Sequence, residues 1–223
     1  PDYIKQRAFI PKRFTYSILR KLHSDSERVL VPSVSMLNEL KKYNFKNLVV
    51  WNRGVNTELF NPNKRDTNSK DTQLTYVGRV AIEKNIEEFL ELKGNYNKIV
   101  VGDGPELQKY INKYPEVNFV GVKTGQELAK YYANADVFVF PSKTDTLGNV
   151  ILEALASGTP IAAHPVTGPI DVLTDEKINT LDNDLLQSIK KALKVKRVDC
   201  RNFTLKLTWD KSVREFLEYM VNV

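Results

Sequence analysis

Val137-Phe-Val-Phe140-Pro141-Ser142-Lys143-Thr144-Asp145-Thr146-Leu147-Gly148-Asn149-Val150-Ile151-Leu152-Glu153-Ala154-Leu155-Ala156-Ser157-Gly158-Thr159-Pro160-Ile161-Ala162-Ala163 decides the fold. An apolar tetrad stops at Pro141-Ser142, and a polar loop leads into an apolar helical run over Val150–Ala156. After Gly158 a second apolar segment, Pro160–Ala163, begins at once. Apolar strands with a helix between them are the pattern of a parallel sheet covered on both faces. Within the helix Glu153 is anomalous, because a carboxylate among Ile151, Leu152, Ala154 and Leu155 is costly to bury alone; a polar partner is expected. Gly148 and Asn149 fall in the first turn, where unpaired N–H groups and the positive end of the helix dipole suit an anion. With Asp145 upstream, two carboxylates flank an amide-lined cradle, which predicts a ligand with hydroxyls at both ends and phosphate between.

The same rhythm extends in the N-terminal direction. Leu48–Trp51 runs into Asn52-Arg53-Gly54, Leu74–Val77 into Gly78-Arg79, Ile99–Val101 into Gly102-Asp103-Gly104-Pro105, and Asn118–Val120 into Gly121. Helical patterns at Ile86–Leu92, Glu106–Tyr114 and Gln126–Ala133 separate them. Alternating strands and helices predict an α/β fold, a doubly wound parallel sheet of Rossmann-like type. Ligands of such sheets bind off the carboxyl ends of the strands, so the glycine turns should share one rim. Arg28–Val31 reads as a further short strand, Ser33 or Ser35 as a helix cap, Met36–Tyr43 as a helix, and Asp184–Leu193 and Trp209–Met220 as closing helices.

The formal charge of +6 is unevenly placed: residues 1–46 hold ten basic and four acidic side chains, and the remainder holds 23 of each. A domain that is neutral apart from one segment does not read as nucleic-acid binding. The single cysteine, Cys200, excludes an intrachain disulfide and a Cys-based zinc site, and the two histidines, His23 and His164, are far apart. No apolar run approaches the ~20 residues of a membrane span, and no signal-peptide pattern is seen, so a cytoplasmic setting is expected. Phe14, Ile18 and Leu22 recur at helical spacing among Lys12, Arg13, Arg20 and Lys21, which fits either a helix packed on its own domain or one lying on an anionic membrane.

Arg79 and Lys84 follow a strand and have the chemistry to clamp a diphosphate, with a guanidinium fork and an ammonium point charge. The alternative is a solvated helix start with Lys84 paired to Glu88. Gly102-Asp103-Gly104 fails the dinucleotide fingerprint, since Leu107 stands at the third glycine position. It is either a turn admitting a base or phosphate or an ordinary strand-to-helix turn. Asp182-Asn183-Asp184 reads as a helix cap rather than a metal site, and His164 is either structural or a rim contact. No Ser/His/Asp or Cys/His set can be assembled for nucleophilic catalysis.

Taken together, Leu30-Val-Pro-Ser33, Trp51-Asn-Arg-Gly54-Val-Asn56, Tyr76-Val-Gly78-Arg79, Glu83-Lys84-Asn85, Gly102-Asp-Gly104-Pro105, Ala135-Asp136, Pro141-Ser142, the opening stretch and Pro165-Val-Thr-Gly168-Pro169 resemble the C-terminal half of retaining GT-B glycosyltransferases of family 4. The resemblance implies transfer of a sugar, with retention, from a nucleoside-diphosphate donor such as a UDP- or GDP-hexose, without cofactor or required metal. It assigns Arg79 and Lys84 to the donor diphosphate, Asp145 to the sugar hydroxyls and Glu153 to the ribose. Further substrate contacts are implied at Gly78, Gly102, Gly104, Val120, Thr146, Leu147, Gly148, Asn149 and Val150.

Two departures stand out: Asp145 replaces the family's usual Glu, and most of the N-terminal acceptor domain is missing. Residues 1–46 would be its tail, 47–205 the nucleotide-sugar domain, and 206–223 a helix crossing back to the acceptor domain. Such a helix calls for a cover over its apolar stripe, from an N-terminal-half chain, a homo-oligomer or residues 1–46. An anionic inner membrane face is a further expected partner for 1–46. Three readings stay open: a transferase, a donor-binding module inactive without a separate half, and a remnant kept for an interaction.

Overall fold

The computed structural model describes residues 11–66, 71–143 and 148–221. In chain order its elements are α1 (Lys12–Leu22), β1 (Val29–Val31), α2 (Val34–Lys42), β2 (Leu48–Val50), β3 (Gln73–Val77), α3 (Ile86–Leu90), β4 (Asn97–Val101), α4 (Leu107–Lys113) and β5 (Asn118–Gly121). They continue with α5 (Gly125–Asn134), β6 (Val137–Phe140), α6 (Asn149–Ala156), β7 (Ile161–Ala163), α7 (Pro169–Val172), α8 (Leu185–Ala192), α9 (Arg197–Thr204) and α10 (Trp209–Val221). The chain divides into two compact units, Gly54–Trp209 and a second made of residues 1–53 with 210–223.

In the larger unit five parallel strands lie in the order β5-β4-β3-β6-β7. Pleating sends alternate side chains to opposite faces. In β6, Val137 and Val139 join Leu74, Ile86, Phe89, Tyr110 and Ile189 on one face. Phe138 and Phe140 join Tyr132, Ile151, Leu155 and Cys200 on the other. All four β6 residues are buried, as the uninterrupted apolar tetrad requires of a strand covered on both sides. The doubly wound parallel sheet read from the sequence is therefore present.

Leu48–Val50, the first strand of the predicted series, is not part of this sheet. It pairs in parallel with β1, Val29 opposite Leu48 and Val31 opposite Val50, in the smaller unit. A strand preceded by its own helix, α2, completes a local parallel pair without needing the larger sheet. The boundary between compact units falls after Arg53. Within the same unit α10 lies on this pair: Trp51 Nε1 donates to the Ser212 carbonyl at 2.8 Å, Ser212 Oγ to the Asn52 carbonyl at 2.7 Å, and the Trp51 and Phe216 rings are 5.5 Å apart. Helix α1 is turned from the face its period suggested. Tyr16 is buried and stacks on Tyr43 at 4.0 Å, while Phe14, Ile18 and Leu22 are exposed.

Local chemistry explains the element ends. Ser33 caps α2, accepting from Met36 N at 3.2 Å, and Asp184 caps α8, accepting from Leu186 N and Gln187 N. Helix α9 had no clear apolar period in the sequence. Cys200 and Thr204 are its buried residues, Phe203 packs on the core beside them, and Arg197 and Arg201 reach main-chain carbonyls. Among the described residues no helix is long and apolar enough to cross a membrane.

Candidate functional site

The chain leaves β3 toward β4 and β5, then returns to lay β6 and β7 on the other side of β3. Strand order reverses between β3 and β6, the switch point at whose carboxyl edge such sheets usually bind their ligands. Pairing of Leu74 with Val137 and Thr75 with Phe138 sets those two exits side by side.

After β3 come Gly78 and Arg79. Tyr76 Oη donates to the Arg79 carbonyl at 2.7 Å, which holds the turn, and the Arg79 guanidinium meets Glu83 at 3.5 Å on the exposed side. Lys84 ends a short 3-10 turn, Ile82–Lys84, and Asn85 follows in the left-handed region, φ 52° and ψ 30°. Asparagine tolerates this conformation better than most residues.

The neighbouring turn after β4 packs onto that backbone. Val80 N donates to the Asp103 carbonyl at 2.9 Å and Glu106 N to the Val80 carbonyl at 3.2 Å. A Cβ on Gly102 would lie 1.9 Å from the Gly78 carbonyl oxygen, and one on Gly104 would lie 2.2 Å from that of Val80. Backbone-to-backbone approach within the rim thus requires both glycines. Val120 lies in edge strand β5, whose pairing with β4 is irregular between Val100 and Val101.

After β6 the chain passes Pro141, Ser142 and Lys143. Asp145, Thr146 and Leu147 lie outside the described residues. Gly148 is the N-cap of α6, buried against Phe140, and Asn149 and Val150 open the helix. One turn further in, Glu153 receives a hydrogen bond from Tyr132 Oη of α5 at 2.8 Å. Burial pushes the Glu153 carboxyl above its ordinary range, and the tyrosine bond works against that rise. Burial, followed by the Glu153 charge, in turn holds the Tyr132 hydroxyl well above its usual pKa. The polar partner expected for Glu153 is therefore present in the protein itself.

Sequence reasoning missed a second constellation on the same rim. Glu88 of α3 meets Lys143 Nζ at 3.0 Å and His164 Nε2 at 3.0 Å, and receives the Asn85 side-chain amide. That amide also donates to the Pro141 carbonyl at 3.0 Å. Burial alone would raise the Glu88 pKa; Lys143, Asn85 and His164 together outweigh it and hold the carboxyl below its ordinary value. His164, weighed between a structural role and a rim contact, is buried and bound here. Asp182 bonds Asp184 N and pairs with Lys191 at 2.8 Å, consistent with the cap. Among the described residues no group of three or more His, Cys, Asp or Glu is placed to hold a metal.

Comparison with known proteins follows the same line. Residues 58–201 match the family described as Glycosyl transferases group 1. A GDP-mannose-dependent alpha-mannosyltransferase of Corynebacterium glutamicum is 34% identical over 178 residues, which cover 75% of this chain and 43% of that protein. Sucrose-phosphate synthase of Thermosynechococcus elongatus superposes with a TM-score of 0.84 at 22% identity, over 98% of this chain and 64% of that one. Anabaena HepE, solved in complex with UDP and glucose, superposes with a TM-score of 0.77 at 15% identity, over 96% and 68%. At those identities the superpositions speak for the fold, that of GT-B glycosyltransferases. The chain spans half or less of the length of five curated relatives it matches.

Proposed function

This chain belongs to the group 1 glycosyl transferases, and on that premise we propose that it supplies the donor site of a retaining hexosyltransferase using a nucleoside-diphosphate sugar. The observation carrying the reading is the half-buried Glu153 carboxylate, held by Tyr132 one turn inside a helix that opens beside the sheet's switch point. A carboxylate kept at such a cost suits paired ribose hydroxyls. Arg79 and Lys84, on the adjoining strand exit, carry positive charge for the diphosphate, and the amides at Gly148 and Asn149 add donors toward phosphate and sugar. Asp145 takes the sugar hydroxyls. With two cations for the leaving group, the reading calls for no metal, and the front-face route to retention calls for no side-chain nucleophile.

The name of the Corynebacterium relative makes GDP-mannose the first donor to try, and the UDP complex of HepE makes UDP-glucose the second. Acceptor groups belong to an N-terminal half, carried on the same polypeptide or a separate one, of which residues 1–46 form the tail. The apolar face of α10, with Val213, Leu217 and Met220 about half exposed, is assigned to contact with that half or with a second copy. The basic segment is assigned to a cytoplasmic, anionic membrane face: α1 exposes Phe14, Ile18 and Leu22, and a cavity of about 530 Å³ beside it is lined by Arg20, Lys21, His23 and Lys46.

Calorimetric titration with GDP, UDP, ADP and their hexose conjugates tests the donor site. At least one should bind, and Lys84→Ala and Glu153→Ala should each weaken it; unchanged affinity in both variants overturns the assignment. Sugar transfer by this chain alone would exclude the alternative of a donor-binding module inactive without its other half.

A further inference from the structure

Three exits from the carboxyl edge meet at one side chain. Glu88 stands on α3, downstream of the Arg79–Lys84 arm that leaves β3. Lys143, from the exit of β6, and His164, from the exit of β7, each approach its carboxylate at 3.0 Å. Asn85 bridges the carboxylate to the Pro141 carbonyl, so both the backbone and the side chain of the β6 exit are tied to α3. Ser142, between those two anchors, is 2% exposed, and its hydroxyl finds no hydrogen-bond partner among the described residues.

We propose that Glu88 is a positioning residue of the donor site, setting the Pro141–Lys143 segment so that the sugar end of the donor, and not its nucleotide end, is recognised. The inference rests on the donor reading above. Lys143 stands two residues before Asp145, the carboxylate assigned to the sugar, whereas on the nucleotide side the Arg79 carbonyl is bonded by Tyr76 and Glu153 by Tyr132. Neutralising Glu88 removes the charge that fixes Lys143 while leaving a side chain able to bond Asn85 and His164.

The test compares the affinities of GDP with GDP-mannose, and of UDP with UDP-glucose, in wild type, Glu88→Gln and Lys143→Ala. For the pair that wild type binds, both substitutions should weaken the nucleotide sugar about tenfold, a loss of roughly one charge-assisted hydrogen bond, with the free nucleotide changed by less than about twofold. Lys143→Arg should restore the sugar conjugate's affinity. Lys143 is more than half exposed, so its variants keep the question answerable if Glu88→Gln folds poorly. Equal weakening of nucleotide and nucleotide sugar would assign Glu88 a merely structural role and overturn the proposal, as would unchanged binding of both. Failure of wild type to bind any of the four would overturn the donor reading itself, and the inference with it.

Discussion

Tyr132 and Glu153 form an enclosed pair, tyrosine hydroxyl to carboxylate oxygen at 2.8 Å, joining α5 to α6 at the edge of the apolar core. The tyrosine ring is itself held by Phe60 and Phe138, with centroids 5.7 and 5.6 Å away. A rigid donor of this kind orients the acid while supplying only part of what water would give it.

The cost should be visible in stability. Burial raises the folded-state pKa of Glu153 above its unfolded value. Between those two values the native protein binds more protons than the unfolded chain, so stability falls as pH rises through that window, and at higher pH the ionised acid is a standing penalty. Glu153→Gln is therefore expected to melt at or above the wild-type temperature at pH 7.5, with its advantage shrinking as pH falls. Nucleotide binding should weaken about 10- to 100-fold, the loss of one or two charge-assisted bonds. Thermal melts across pH, paired with calorimetry, check both; a variant clearly less stable than wild type at pH 7.5 contradicts the account.

Tyr132→Phe separates orientation from burial. The ring contacts persist, and the one bond that lowers the Glu153 pKa is lost. The acid's pKa should then rise further, moving the acid limb of the pH profile of nucleotide affinity upward, with a stability loss of about 1 kcal/mol. An acid limb unmoved by the substitution would show that the tyrosine does not set the charge of Glu153.

Strand-to-helix alternation was enough to read the sheet, because buried parallel strands leave uninterrupted apolar tetrads such as Val137–Phe140. It misplaced Leu48–Val50, since a three-residue strand carries no mark of which sheet it joins. Of the candidate site, Gly78, Arg79, Lys84, Gly148 and Glu153 could be singled out as candidates because each breaks a local pattern. Tyr132, Asn85 and Glu88 were not, because their roles come from segments 21 to 76 residues away in sequence. A polar hydroxyl on the apolar side of a helix, beside Leu128 and Ala129, was the one signal available for Tyr132.

Gly102→Ala should damage the donor site through the backbone of its rim. The added methyl would sit 1.9 Å from the Gly78 carbonyl oxygen, and the residue's φ of +142° already disfavours a side chain. Backbone cannot yield as a flexible side chain can, so the turn carrying Arg79 must shift or the sheet edge must open. The expected result is a protein that either folds with nucleotide affinity reduced at least tenfold, about 1.4 kcal/mol, or is recovered only as aggregate. Gly121→Ala serves as the control. Its φ of +71° also disfavours alanine, but a Cβ there meets nothing within 4 Å, so strain without collision should leave nucleotide affinity near wild type. Equal binding by wild type and Gly102→Ala would show that this approach does not constrain the rim.

Arg197 carries the last prediction, about how α6 is held at its far end. Its guanidinium donates to the Ala133 and Ala135 carbonyls at 2.7 Å each, to the Ser157 carbonyl at 3.2 Å and to Thr159 Oγ1 at 3.1 Å, gathering the carboxyl ends of α5 and α6. Those helix ends carry unpaired carbonyls and the negative end of the dipole, which favours a cation. Burial, with the nearby Arg65 charge, pushes the Arg197 pKa down to about 10, so the group stays charged at neutral pH while losing most of its hydration. Arg197→Met would fill the volume but take the guanidinium donor from the Ala133 and Ser157 carbonyls, while Arg65 still reaches Ala135, and should cost about 3 kcal/mol in chemical denaturation. Arg197→Lys keeps the charge but not the planar fork and should fall between. If methionine proved as stable as arginine, the desolvation of the guanidinium would have to cancel all four bonds, and α9 would then be held to α6 by Arg201, which donates to the Ala156 carbonyl at 2.8 Å, and by packing around Cys200.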